Sequence, residues 1–201
     1  MSAQGSPEWL AERCGKATAS EFHAILAKGQ GKTRAAYLRR VVAERLTGKP
    51  METYKNKDIE RGIEQEPYAK MSYEARTGLM VEEAGFIKHD TLEAGCSPDG
   101  LVGDDGGAEI KSVIPTVQLD TILAGGYPST HKPQIQGCIW LCKRQWWDFC
   151  SFSHDMPERL RLYVFRVIRD DAYIVSLQAE VKVFLDEVDY LYQRLTNGSA
   201  L

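Results

Sequence analysis

The sequence predicts an α/β fold of mixed α+β character, a mixed central β-sheet flanked by helices. Three observations carry this. Apolar residues recur at helical spacing as far as about Thr77, alternating β-favouring segments separated by turn residues follow up to Val113, and the remainder reads as helices around two strands. At 201 residues the chain fits a single domain, 1–201, long enough to bury a substantial core. It shows no internal repeat or low-complexity tract.

Ser6-Pro7-Glu8-Trp9 opens a short helix, with Ser6 as N-cap and Pro7 in the first turn. Thr18-Ala19-Ser20-Glu21 has capping-box spacing ahead of Phe22, Ile25 and Leu26, which predicts a second helix beginning there and broken by Gly29 to Gly31. Tyr37, Leu38, Val41, Val42 and Leu46 mark a third helix, stopped by Gly48 and Pro50. A fourth spans about 56–77 and ends before Gly78. Segments 79–88, 94–102 and 108–113 read as strands. Helices over 116–123 and 133–142, strands over 146–153 and 160–168, and an amphipathic helix over 171–195 complete the chain.

With 43% hydrophobic and 26% charged residues, the composition is that of a soluble globular protein without a disorder signature. The longest apolar runs, such as Val181 to Leu185 interrupted by Lys182, fall short of a membrane span, and no charged-then-apolar leader opens the chain, so a cytoplasmic protein is expected. Five cysteines (Cys14, Cys96, Cys138, Cys142, Cys150) are an odd count without a secreted framework, and reduced thiols are the default. Cys138, Cys142 and Cys150 raise a metal or iron-sulfur site, against which stand the missing C-x₂-C spacings and the common fate of cysteine as a buried apolar residue. A net charge of −3 argues against indiscriminate coating of nucleic acid. Basic residues nevertheless cluster: Lys28, Lys32 and Arg34 in an expected flexible loop, then Arg39, Arg40 and Arg45, which read equally well as a solvated helix face.

Ser97-Pro98-Asp99-Gly100, followed by Glu109-Ile110-Lys111, carries the chemistry. Mg²⁺ takes hard oxygen ligands, usually one or two carboxylates plus waters and substrate phosphate, and Asp99 with Glu109 can supply that pair. On a strand, Glu109 and Lys111 share a face while Ile110 points into the core. The Asp-Gly and Gly-Gly signals within 102–108 predict a hairpin that returns Asp99 to Glu109. The competing reading is a plain hairpin with Glu109 and Lys111 as a surface ion pair. Gly31-Lys32-Thr33 is no phosphate loop, because the required first glycine falls at Leu26 and no strand precedes it. His23, His89, His131 and His154 form no close metal-binding pair, and no G-x-S-x-G elbow is present.

Five ordered blocks, Trp9 with Arg13 to Ser20, Arg61 to Glu66, Cys96 to Leu101, Glu109 to Lys111, and Gln134 to Gln136 with Trp140, together resemble the lambda-type phage exonucleases, the YqaJ-like viral recombinases of the PD-(D/E)XK nuclease superfamily. Trp9 followed by Arg13-Cys14-Gly15-Lys16-Ala17-Thr18-Ala19-Ser20 resembles the family's N-terminal Trp, Arg and T-A-S block. Arg61-Gly62-Ile63-Glu64-Gln65-Glu66 is similar to its helix with a catalytic Glu, matching Glu66. Cys96-Ser97-Pro98-Asp99-Gly100-Leu101 and Glu109-Ile110-Lys111 resemble its central strands, and Gln134-Ile135-Gln136 with Trp140 its helix with an active-site Gln.

The resemblance implies a PD-(D/E)XK restriction-endonuclease-like core and a Mg²⁺-dependent 5′ to 3′ double-strand DNA exonuclease that releases mononucleotides and leaves 3′ single-stranded tails for phage-type recombination by strand annealing. It implies Asp99, Glu109, the Ile110 carbonyl and Glu66 around one or two Mg²⁺ ions (Mn²⁺ as substitute), with Glu66 either a ligand or an outer partner, Lys111 at the attacking water, and Gln134 holding water or phosphate. Arg13 and Ser20 match binders of a terminal 5′-phosphate, Lys28, Lys32, Arg34 and Gln136 are further candidate DNA contacts, and Ile59 falls where the family places a duplex wedge or is ordinary core. The implied partners are a single-strand annealing protein and two further copies in a homotrimeric ring, whose basic channel would sit inside an acidic exterior; the implied location is the cytoplasm of a bacterial host. An endonuclease or iron-sulfur nuclease of the same fold, or a non-catalytic DNA-end-binding protein, are the alternatives.

Overall fold

The structure, a computed structural model, describes residues 2, 4–27, 32–51 and 57–198, with backbone alone for 57–59. Lys28 and the side chain of Ile59 lie outside the described residues. The elements in chain order are α1 (Pro7–Arg13), β1 (Ala17–Thr18), a 3₁₀ turn (Ala19–Glu21), α2 (Phe22–Ile25), α3 (Lys32–Thr47), α4 (Lys57–Thr77), β2 (Ile87–Lys88), β3 (Ala94–Cys96), β4 (Gly100–Val102), β5 (Gly106–Ser112), α5 (Pro115–Ala124), a 3₁₀ turn (Ser129–His131), α6 (Lys132–Leu141), β6 (Trp146–Phe152), α7 (Glu158–Arg161), β7 (Leu162–Ile168) and α8 (Asp171–Thr196).

Four strands in the order β4-β5-β6-β7 form the mixed main sheet. β5 and β6 run parallel, joined by the crossover through α5 and α6, while the outer pairings are antiparallel. The period of two divides the side chains between two cores. Trp147, Phe149 and Val167 pack with Ile135 and Ile139 of α6 and Ile174, Leu177, Val181 and Phe184 of α8. Ala108, Ile110, Cys150, Phe152 and Leu162 face Ala69 and Tyr73 of α4. Each large apolar side chain so buried contributes on the order of 1.5–3 kcal/mol. Because Glu109 is in register with Phe149, and Ile110 with Cys150, Glu109 and Lys111 emerge on the α6 side of the sheet while Ile110 anchors the other.

A second, three-stranded sheet, β1-β3-β2, was not expected from the sequence. The single strand expected over 94–102 is two strands in two sheets: β3 pairs with β1 and β2, β4 with β5. Pro98 lies between them and has no N–H to donate, so the ladder cannot continue through it. The strand expected over 79–88 is paired only at Ile87–Lys88, apart from one bridge between Glu82 and Leu101.

Other expectations change at helix starts. Ser6 does cap α1, accepting from Trp9 N. The capping box at Thr18 does not form: Thr18 makes no side-chain cap bond, its backbone joins β1, and Glu21 pairs with Arg40 instead. α3 begins at Lys32, so Lys32 and Arg34 belong to a helix rather than to the expected basic loop.

Candidate active site

The β4–β5 hairpin pairs Gly100 with Ala108, which places Asp99 at the level of Glu109. Its turn is Gly103-Asp104-Asp105, with Gly103 at φ +53°, and a Cβ on Gly107 would lie 2.3 Å from the Trp147 ring, so the hairpin lies close against Trp147. Asp99 Oδ2 accepts from Ile110 N at 2.6 Å. Glu109, only 1% exposed, accepts at Oε1 from Lys111 Nζ and Gln134 Nε2, both at 2.6 Å. Lys111 Nζ also reaches Gln134 Oε1 at 3.4 Å. Gln134, in the first turn of α6, thus fixes the acid and the cation against one another.

Burial first, and the charge of Glu109 second, push the Asp99 carboxyl well above its ordinary range, against the pull of Lys111 and the Ile110 N–H. Burial alone would lower Lys111, but Glu109 and Asp99 more than offset it and hold the ammonium above its usual value. Glu109 Oε2 is buried without a hydrogen-bond partner among the described residues. Two crowded carboxylates, one with an orphaned oxygen, fit a hard divalent cation that would relieve both conditions. Among the described residues no three of His, Cys, Asp and Glu converge on one point. Glu66 pairs with Lys70 at 2.7 Å, and its charge adds to those that raise Asp99. Water and phosphate oxygens would complete an octahedron.

A second group of side chains is assembled across Pro98. Ser97 Oγ accepts from Trp9 Nε1 at 2.9 Å and from Arg13 Nη1 at 2.8 Å. With both lone pairs taken, its own proton must point to another acceptor. The Arg13 guanidinium lies 4.3 Å over the Trp9 ring and touches Ser20 Oγ at 3.5 Å, and among the described residues no carboxylate pairs with it. Burial draws Arg13 below its ordinary value, against the pull of neighbouring groups that include the charge of Glu21. His131, half-buried and stacked on Phe149 at 5.4 Å, lies within reach of the charges of Lys111 and His23, and burial together with those charges lowers it from 6.5 to about 4.

The fold therefore brings Asp99, Glu109, Lys111 and Gln134 together, and Arg13 with Ser20. Two expected DNA contacts are placed elsewhere. Gln136, two residues from Gln134, points to the opposite side of α6, is 1% exposed, and binds Ile168 O and Asp170 N. Arg34 is held in a two-pronged pair by Glu187 of α8 at 2.6 and 2.9 Å. Lys32 is exposed at the start of α3. Cys150 belongs to the α4-side core, so the trio Cys138, Cys142 and Cys150 does not converge. Sequence reasoning missed Ser97 and His131: the first shows only as a polar residue before Pro-Asp, and the second only as one turn ahead of Gln134.

A mixed sheet that presents Asp, Glu and Lys from one hairpin, completed by a helix Gln, defines a nuclease of PD-(D/E)XK-like fold. The family model of the YqaJ-like viral recombinase domain matches residues 8–145, and the chain belongs to that family. It is similar to an alkaline exonuclease (LHK-Exo) from Laribacter hongkongensis, at 35% identity over 96% of this chain and 98% of that one, with a TM-score of 0.91, and equally to the same protein in complex with dAMP. A phage-related exonuclease from Haemophilus somnus 129PT shares the fold at 16% identity, over 90% of this chain and 96% of that one, with a TM-score of 0.70. Comparison with curated proteins gives no match. Family and fold together make the chain a DNA exonuclease of the alkaline-exonuclease kind. Among the described residues no helix is long and apolar enough to cross a membrane.

Proposed function

We propose that the chain degrades the 5′-ended strand of double-stranded DNA, in the 5′ to 3′ direction and with Mg²⁺ or Mn²⁺, releasing mononucleotides and leaving 3′ tails for recombination by strand annealing. The observation that carries this reading is the Ser97-Pro98-Asp99 link, which places a phosphate-seeking pocket beside a carboxylate cleft. Arg13 and the Ser97 and Ser20 hydroxyls bind the terminal 5′-phosphate by charge-assisted hydrogen bonds. Asp99, Glu109 and the Ile110 carbonyl would hold the metal, which when bound would supply Lewis-acid activation of the attacking water and offset charge on the leaving 3′ oxygen. Lys111, kept protonated by its two acids, orients that water and offsets charge on the scissile phosphate. Gln134 keeps Glu109 and Lys111 in register. The dAMP complex of LHK-Exo supports a mononucleotide product.

Linear duplexes labelled at the 5′ or the 3′ end, with and without 5′-phosphate, and a covalently closed circle test this in one gel. Early release of the 5′ label from phosphorylated linear DNA, with the circle intact, is expected. A cut circle would make the protein an endonuclease, and untouched linear DNA an end-binding protein. The homotrimeric ring belongs to the same proposal and is supported by exposed apolar residues on α4 (Ile63, Met71) and α5 (Leu119, Leu123), which offer surface for subunit contact. Light scattering decides it: a strict monomer removes the ring while leaving hydrolysis in place. A single-strand annealing protein is the proposed partner, and co-elution with such a protein is its test.

A further inference from the structure

Three thiols meet directly behind the site. Cys96 Sγ lies 3.5 Å from Cys142 Sγ, and Cys138 hydrogen-bonds Cys96 as well. Cys96 closes β3 and immediately precedes Ser97, while Cys142 caps the C-terminal end of α6, whose first turn carries Gln134. Cys96 and Cys138 are each 1% exposed; Cys142 is partly exposed and lines an open cavity of about 660 Å³ with Ile87, His89, Trp140 and Arg144. A small solute in that cavity therefore meets Cys142 first, and Cys142 already touches Cys96. A disulfide needs sulfurs about 2.05 Å apart, an approach of roughly 1.5 Å from the present contact.

We propose that Cys142 and Cys96 are an oxidation site, forming an intramolecular disulfide when a peroxide enters this cavity. The Cys142 thiolate attacks one peroxide oxygen, the O–O bond breaks, and the departing hydroxide takes up a proton as water, leaving a sulfenic acid. The Cys96 sulfur then attacks the Cys142 sulfur; the S–O bond breaks, and the hydroxyl leaves with the Cys96 proton as a second water. Two thiols have given two electrons to one peroxide. Hydrogen bonds from Cys138 and Cys142, together with burial, hold the Cys96 thiol well above its ordinary range, which makes it the resolving sulfur rather than the first nucleophile. Closing the bond draws the strand that ends at Cys96, and with it the adjoining Ser97, toward the helix that carries Gln134, so both halves of the site shift. That effect on rate rests on the proposed nuclease reading; the cross-link itself does not.

The test treats reduced full-length protein with hydrogen peroxide, alkylates what remains, and maps peptides by mass. Loss of two hydrogens in a linked peptide pair containing Cys96 and Cys142, reversed by dithiothreitol, is expected. Hydrolysis of 5′-phosphorylated duplex should fall about tenfold to a hundredfold on oxidation and return on reduction. Cys142→Ser, and equally Cys142→Ala, should keep the reduced enzyme's rate and resist peroxide. A link through Cys138, or Cys142 oxidised to sulfinic acid without any link, overturns the proposal. A Cys96–Cys142 link with an unchanged rate overturns its coupling to the site, and a link in a protein that cuts no DNA in any state leaves the oxidation site standing while the nuclease reading falls.

Discussion

The carboxylate cleft and the end pocket lie on either side of Pro98, yet they are built in opposite ways. In the cleft the charges face one another: Glu109 Oε1 holds Lys111 and Gln134, Asp99 takes the Ile110 N–H, and Glu109 Oε2 stays without a partner among the described residues. In the pocket the charge is left open, because among the described residues Arg13 meets hydroxyls and the faces of Trp9 and Phe86 but no carboxylate within ion-pair distance. A cleft of paired charges is poised for a cation and a water, whereas an unneutralised guanidinium is poised for an anion from outside. On the proposed reading, holding a strand end and cutting it are separable tasks, assigned to different electrostatic environments.

The sharpest way to break this division is Lys111→Ala. Hydrolysis of linear duplex is expected to fall by about 10³ or more, with end binding, followed by fluorescence anisotropy in Ca²⁺, largely retained. Full activity in that variant would remove Lys111 from the chemistry. Arg13→Ala comes next: the preference for 5′-phosphate over 5′-hydroxyl ends should shrink by about 10- to 100-fold, the value of a charged hydrogen-bonded contact. An unchanged ratio of initial rates would dissolve the pocket.

The smallest effect concerns His131, which feels both regions. Its folded value, about 4, lies below the unfolded 6.5, so between those limits the unfolded chain binds the extra proton. Stability from the neutral imidazole is therefore full above pH 6.5 and is lost as pH falls toward 4. His131→Phe keeps the stack on Phe149 and should remove up to about 2 kcal/mol of the stability difference between pH 7 and pH 5 in urea melts. An identical pH slope in both proteins would show that His131 titrates normally.

The two regions also differ in how readily the sequence yields them. Asp99, Glu109 and Lys111 lie on one hairpin, where a Gly-containing turn and the period of two dictate who faces whom, and the register agrees. The element types were legible for the same local reason, from Ser6 at the start of α1 to the long amphipathic α8. The end pocket depends on contacts across more than eighty residues, from Trp9 and Arg13 to Ser97, which no local pattern encodes. The ties of Gln136 and Arg34 were hidden for that reason too: their partners, Ile168, Asp170 and Glu187, come from the last third of the chain. The two-residue β1 escaped notice because Thr18 has the composition of a cap, and only its pairing with β3 makes it a strand.

Pro98, the residue at which the chain leaves one sheet for the other, has a metric consequence. Two residues of chain span at most about 7 Å, and the fixed φ of a proline between Ser97 and Asp99 stiffens that interval. Neighbouring phosphates on a DNA strand are separated by a comparable distance. On the proposed reading the product's length is then measured by a rigid piece of backbone, a ruler one nucleotide long, and lengthening the link by inserted glycine should blur the product from mononucleotides toward dinucleotides.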